Sequence, residues 1–126
     1  RHTVLYIEDN AVNQVLMEGM LMHRPGIRLL VAGVPEVGLA MAQQSRPDLV
    51  LLDIQLPGMT GFEVLQRLRA MPATRHVPVI AVSANAMPGD VEQARRAGFD
   101  DYLTKPLDMH RLLAAVDRRL ATPVQG

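Results

Sequence analysis

Two hydrophobic patterns alternate along this chain. Short apolar runs, rich in Val, Leu and Ile, occupy residues 3–7 (TVLYI), 27–32 (IRLLVA), 49–53 (LVLLD), 79–83 (VIAVS) and 101–105 (DYLTK). Runs of that length and composition read as strands, and LVLLD, apolar without interruption up to Asp53, reads as one buried on both faces. Between them apolar residues recur at helical spacing. Val12, Val15, Leu16, Met20 and Met22 predict a helix over 11–23, with Asn10 as its N-cap and Pro25-Gly26 as its stop. Residues 35–44 read as a second helix, with Pro35 near its first position but no polar cap before it. A third covers 62–70 and closes at Pro72; a fourth covers 88–97 and ends at Gly98; a fifth covers 107–120. Residues 121–126 read as a frayed tail.

Five strands alternating with five helices imply one parallel sheet covered by helices on both faces. The expected class is α/β, flavodoxin-like, a (βα)5 unit with strand order 2-1-3-4-5, which sets strands 1 and 3 side by side at the switch point. The 126 residues suit one domain, residues 1–121, followed by a tail at 122–126. Only 3% of the residues are aromatic, so aliphatic side chains and methionine must fill the core.

Charge excludes several functions. Thirteen basic and thirteen acidic side chains cancel, which leaves no electrostatic case for binding nucleic acid or an anionic membrane. No cysteine is present, so thiolate chemistry and disulfides are absent. No apolar run reaches the ~18 residues of a membrane span. The expected location is cytoplasmic. The chain begins at Arg1 without methionine, which fits a domain cut from a longer protein.

The polar residues that remain fall at strand ends. Glu8 and Asp9 end the first strand, Asp53 the third, Ser83 the fourth and Lys105 the fifth. A carboxylate is not left unpaired inside a strand, so Asp53 is expected where its strand opens toward solvent, at the carboxyl edge that binds ligands in such sheets. Each residue alone has a plain structural reading: a helix-end charge for Glu8 and Asp9, a turn or cap for Ser83, a surface lysine for Lys105. Together they mark one edge. Lys105 is also the only lysine among thirteen basic residues. A compact ammonium is not interchangeable with the planar fork of arginine. Three carboxylates gathered at one place need a cation, and oxygen-only ligands suit Mg²⁺, with Mn²⁺ as a substitute. His2, His23, His76 and His110 are scattered without ligand spacing.

Four motifs now stand in order: Glu8-Asp9, the segment LLDIQLPGMTG around Asp53, Ser83-Ala84, and Tyr102-x-x-Lys105-Pro106. With these, nearly the whole chain resembles a receiver domain of bacterial two-component signalling. The resemblance implies that Asp53 accepts a phosphoryl group from a phosphohistidine. It implies Mg²⁺ held by Asp9, Asp53 and the Gln55 main-chain carbonyl, with Glu8 acting through water. It makes Lys105 and Ser83 catalytic partners, Ser83 and Tyr102 a switch pair, and Gln55 and Asn85 tuners of phosphoryl lifetime. The backbone N–H groups of Ile54 and Ala84 become phosphate contacts, and Lys105-Pro106 a peptide bond that is usually cis. The implied partner is a histidine kinase or a histidine phosphotransfer domain.

The segments EDNAVNQ and SANAMPG are similar to receivers fused to hybrid sensor histidine kinases. A stand-alone or multi-domain response regulator is the alternative, and a flavodoxin-like interaction module without phosphotransfer a more remote one. A phosphatase with an aspartate nucleophile wants a second acid two residues on, where Gln55 stands. A flavin or nucleotide site wants a glycine- or hydroxyl-rich first loop, where acids stand. Receivers attached to winged-helix DNA-binding domains pair through charges on the fifth helix. Here those positions are Arg111, Ala115 and Asp117, with Asp101 left to face Ala115, so the isolated domain is expected to be a monomer.

Overall fold

The computed structural model describes residues 1–121; the tail expected at 122–126 lies outside them. The elements run β1 (His2–Ile7), α1 (Ala11–Leu21), β2 (Ile27–Ala32), α2 (Pro35–Ser45), β3 (Leu49–Asp53), α3 (Gly61–Ala70), β4 (Val79–Ser83), α4 (Pro88–Ala97), β5 (Asp101–Thr104) and α5 (Met109–Leu120). All strands are parallel, in the order β2-β1-β3-β4-β5. This is the flavodoxin-like arrangement expected.

The two-residue period of the strands divides the core. Val4, Tyr6, Leu49 and Leu51 point to the face covered by Met17 and Leu21 of α1 and by Leu112 and Val116 of α5. Leu5, Ile7, Val50 and Leu52 point to the other face, against α2, α3 and α4 through Ala42, Leu65, Leu68 and Ala94. Every residue of β3 and β4 is buried, as a central parallel strand requires.

Helix boundaries follow their caps. Asn10 accepts the Asn13 N–H at 3.0 Å and starts α1. Thr60 and Glu63 form a reciprocal capping box at α3. α2 starts at Pro35, and its N-cap Val34 offers no side-chain cap. α1 stops at Leu21, two residues earlier than its apolar period predicts, because the Arg24 N–H turns back onto the Leu21 carbonyl before Pro25. α5 starts at Met109 rather than 107, since Asp108 accepts the Arg111 N–H at 2.9 Å and serves as N-cap. β5 ends at Thr104, so Lys105 lies just past the strand. The Lys105-Pro106 peptide bond is cis.

One glycine carries the site. A Cβ on Gly61 would stand 2.6 Å from the Ile54 Cα and 2.8 Å from the Asp53 carbonyl oxygen, both backbone atoms that cannot yield cheaply. The Gly61 N–H bonds the Ile54 carbonyl at 2.9 Å, so the start of α3 seats directly on the end of β3. Gly61→Ala is expected to cost about 1–3 kcal/mol through overpacking and to displace Asp53. Urea unfolding checks it; an unchanged midpoint would show that the contact is not tight.

Candidate functional site

Parallel strands bring all their carboxyl ends to one edge, and the register sets the rest. Ile7 pairs with Leu52, Asp53 with Val82, and Ser83 with Thr104. The next residue along β1 is Glu8, whose N–H extends the ladder onto the Ala32 carbonyl at 2.9 Å. The Lys105 N–H does the same onto the Ser83 carbonyl at 2.9 Å. Glu8, Asp53, Ser83 and Lys105 thereby converge from four strand ends.

Lys105 Nζ lies 2.8 Å from Glu8 Oε1 and 3.1 Å from Asp53 Oδ2. The other Asp53 oxygen, Oδ1, accepts the Gln55 N–H at 3.0 Å. Asp53 stands at the edge expected, but only 2% of it is exposed: the ammonium and the following loop cover a carboxylate that the sequence alone would leave facing open solvent. Glu8 is likewise buried and fully bonded. Its oxygens accept the Tyr6 hydroxyl at 3.0 Å, the Asn13 side-chain amide at 3.1 Å, the Asn10 N–H at 3.1 Å and Lys105. Gln14 Nε2 holds the Glu8 carbonyl at 2.6 Å. Asp9 is exposed beside them. One carboxylate oxygen each from Glu8, Asp9 and Asp53 lies within 4.8 Å of the other two.

Charge is unbalanced in this pocket. Three carboxylates meet one ammonium. Burial pushes Asp53 up, the neighbouring Glu8 carboxyl adds to it, and Lys105 and the Gln55 N–H offset only part, leaving it at about 6. Burial would raise Glu8 too, but the bonds from Lys105 and the Asn10 N–H outweigh that, with Asp53 the carboxyl of the pair that keeps the proton, and bring Glu8 to about 2. Burial pulls the Lys105 ammonium down, yet both carboxylates more than restore it and raise it above its ordinary value. Burial and Glu8 raise the Tyr6 phenol, so it remains a donor. A hard divalent cation fits this donor set: oxygen ligands only, excess negative charge, and one exposed acid on the approach. No histidine belongs to the cluster.

A hydrogen-bond chain leads away from Asp53. Gln55 Nε2 lies 3.0 Å from Ser83 Oγ, and the Ser83 hydroxyl is 3.2 Å from Gln55 Oε1. The Asn85 N–H donates to Ser83 Oγ at 3.0 Å. The Asn85 carbonyl accepts the Tyr102 hydroxyl. Ser83 is buried, Tyr102 half-buried, and Ala84 and Asn85 exposed. One expectation is corrected. The resemblance makes the Ile54 N–H a phosphate contact, but that group donates to the Val82 carbonyl at 3.1 Å and continues the sheet. The amide that faces the carboxylate is that of Gln55.

Sequence reasoning passes over Tyr6, Asn13 and Gln14, the groups that fix Glu8. Tyr6 was legible, because residues two apart on a strand share a face. Asn13 and Gln14 sit in the first turn of α1, and only the structure shows how far their amides reach.

A 2-1-3-4-5 sheet with an acidic cluster and a single lysine at its switch point defines the class: flavodoxin-like α/β domains with an acidic strand edge. The sequence profile of the response regulator receiver domain matches residues 4–117, and this chain belongs to that family, making it a receiver domain of two-component signalling. It is 38% identical over 114 residues to the polar-differentiation response regulator DivK of Brucella anthropi, covering 90% of this chain and 92% of DivK. The crystal structure of the receiver domain of sensor histidine kinase PA1611 from Pseudomonas aeruginosa, with a magnesium ion coordinated in its active-site cleft, superposes with a TM-score of 0.86. It is 35% identical and covers 96% of this chain and 98% of that one. The chemotaxis protein CheY4 of Vibrio cholerae superposes with a TM-score of 0.86 at 25% identity, covering 94% and 98%.

Proposed function

We propose that Asp53 takes a phosphoryl group from a phosphohistidine and that the domain switches conformation as a result. The observation that carries this is the convergence of Lys105, Glu8 and Asp9 on the buried Asp53 carboxylate. An Asp53 oxygen attacks phosphorus, the phosphorus–nitrogen bond breaks, and the imidazole leaves with its electron pair and takes up a proton. The product is an acyl phosphate. Such transfers depend on positioning and on neutralising the charge spread over the phosphoryl oxygens. Lys105 meets one oxygen. The Ser83 hydroxyl and the N–H groups of Gln55 and Ala84 meet another.

Mg²⁺, or Mn²⁺ in its place, would be held by Asp9, Asp53 and the Gln55 carbonyl, and when bound it supplies charge neutralisation for the third oxygen. Glu8 already accepts four protein hydrogen bonds and serves through water. The likeness to a receiver with magnesium in its cleft supports a magnesium ion at this acidic cluster. Ser83 moving toward the new oxygens frees Tyr102 to shift inward, which alters the face of α4, β5 and α5. Asn85 and Gln55 border the attacking water and set phosphoryl lifetime.

The donor is a histidine kinase or a histidine phosphotransfer domain, acting on the cytoplasmic side. Among the described residues no helix is long and apolar enough to cross a membrane. Residues 1–121 form the phosphoacceptor unit, and the EDNAVNQ and SANAMPG segments favour a hybrid sensor kinase as its parent. The likeness to DivK, spanning 92% of that regulator, supports a stand-alone regulator as the second reading. The test is incubation with acetyl phosphate, with Mg²⁺ and with EDTA, followed by intact mass. One added phosphate that needs the metal is expected; none in either condition overturns the proposal.

The same charges bear on assembly. Asp101, the charge left to face the partner's Ala115 in a symmetric pair, is already engaged. It is held within the chain by Arg118 at 3.1 Å and Arg119 at 2.7 Å. Asp117 pairs with Arg24 at 2.7 Å. Charges already satisfied at home offer little to a symmetric partner, where every mismatch counts twice. The beryllofluoride-loaded domain is expected to sediment as a monomer. A tight loaded dimer that Asp101→Ala disrupts would contradict this.

A further inference from the structure

We infer that the Gln55 side chain is a latch that holds the Ser83 hydroxyl in its resting position and competes with the phosphoryl group for it. The inference rests on the phosphoacceptor reading of Asp53 and concerns what restrains that site before it is loaded.

The Ser83 hydroxyl has one proton, and it can serve one acceptor at a time. In the resting domain its partner is the Gln55 amide, with Oε1 at 3.2 Å as acceptor or Nε2 at 3.0 Å as donor, one at a time, while the Asn85 N–H at 3.0 Å occupies a lone pair. Ser83 is wholly buried, so its hydroxyl gains nothing from water and depends on these partners. To donate to a phosphoryl oxygen on Asp53 it must first leave Gln55. Gln55 itself is exposed and lies two residues past Asp53 in a loop, so its side chain has room to swing into solvent once the hydroxyl is released.

The latch reaches further than Ser83. The Asn85 peptide donates to Ser83 Oγ through its N–H and accepts the Tyr102 hydroxyl through its carbonyl, two residues beyond Ser83. Gln55, Ser83, Asn85 and Tyr102 thus form one unbroken chain of hydrogen bonds from the phosphoacceptor loop to β5. Fixing its first member fixes the resting place of the last. Gln55 is therefore a positioning residue: it acts on the switch through Ser83, and its side chain opposes loading.

Gln55→Met keeps the length of the side chain and removes its hydrogen bond with Ser83. In wild type, Mg²⁺ and beryllofluoride are titrated and loading is read from amide NMR shifts. The variant is expected to load about tenfold more tightly, the worth of about one net hydrogen bond no longer broken. Its unloaded Asn85 and Tyr102 resonances are expected to move toward their loaded positions. Ser83→Ala provides the control: in that background Gln55→Met should leave the affinity unchanged, because no hydroxyl remains to be held. A thermal melt confirms that each variant is folded. Equal or weaker loading of Gln55→Met than of wild type overturns the latch, as does the same tightening in the Ser83→Ala background. A wild-type domain that loads no beryllofluoride in Mg²⁺ overturns the phosphoacceptor reading itself, and the latch with it.

Discussion

Asp53→Asn is expected to take up no phosphate from acetyl phosphate, whereas wild type in Mg²⁺ is expected to gain one. The amide lacks the anionic oxygen that attacks phosphorus, and no second acid can take its place. Glu8 is buried and fully bonded, and Asp9 is exposed without the lysine contact that Asp53 has. The same substitution has an opposite effect on stability. The Asp53 carboxyl is raised from its ordinary 3.8 to about 6 in the folded domain, so the folded state favours its protonated form. That contribution is fully present below about pH 4 and is lost as pH rises through about 6. Above that, the metal-free domain carries the Asp53 carboxylate as a buried excess charge. Its side chain is only 3% exposed, so solvent does little to screen that charge. In EDTA at neutral pH the asparagine variant is therefore expected to melt higher than wild type. Mg²⁺ is expected to raise the melting temperature of wild type and much less that of the variant. An adduct on Asp53→Asn equal to wild type, or a variant that melts lower in EDTA, would contradict the charge reading of the site.

How far the sequence reaches depends on what kind of interaction decides each feature. β3, β4 and α4 have the bounds that the sequence predicts, because continuous burial and the Ser83, Pro88 and Gly98 boundaries leave no competing solution. Leu107 fits the apolar period of α5 and carries the expected helix back to 107, yet the carboxylate of Asp108 caps it so that it begins at Met109. Glu8, Asp9, Asp53 and Lys105 are legible as strand ends, since parallel topology alone brings such ends to one edge. Which atom bonds which is not. The Gln55 amide reaching Ser83, the Ile54 N–H spent on Val82, and Asp101 taken by Arg118 and Arg119 all depend on side-chain direction and loop path. Neither has a period that a sequence displays.

Lys105→Arg is expected to keep the fold and the charge but to lose most of the response to loading. Lys105 places a single ammonium between two carboxylate oxygens, 2.8 Å from Glu8 and 3.1 Å from Asp53, with one-fifth of its side chain exposed. One compact point donor suits that gap. A guanidinium is planar, wider and prefers to engage two acceptors side by side. To keep both carboxylates it must lie across the space that the phosphoryl oxygens need; to clear that space it must give up one of them. Elsewhere the chain uses twelve arginines, in pairs such as Arg24 with Asp117 and Arg119 with Asp101, where a fork has room at the surface. The resting domain should therefore melt close to wild type, because the charge balance around Glu8 is preserved. Beryllofluoride binding should weaken by about ten- to a hundredfold, the loss of one charge-assisted hydrogen bond of about 1.5–3 kcal/mol. The NMR shifts that loading produces at Tyr102 and along α4 should shrink with it, since the oxygen that Ser83 follows is no longer held in place. A variant that binds as tightly as wild type, with unchanged shifts at Tyr102, would remove Lys105 from the switch and leave it only the role of a counter-ion to Glu8.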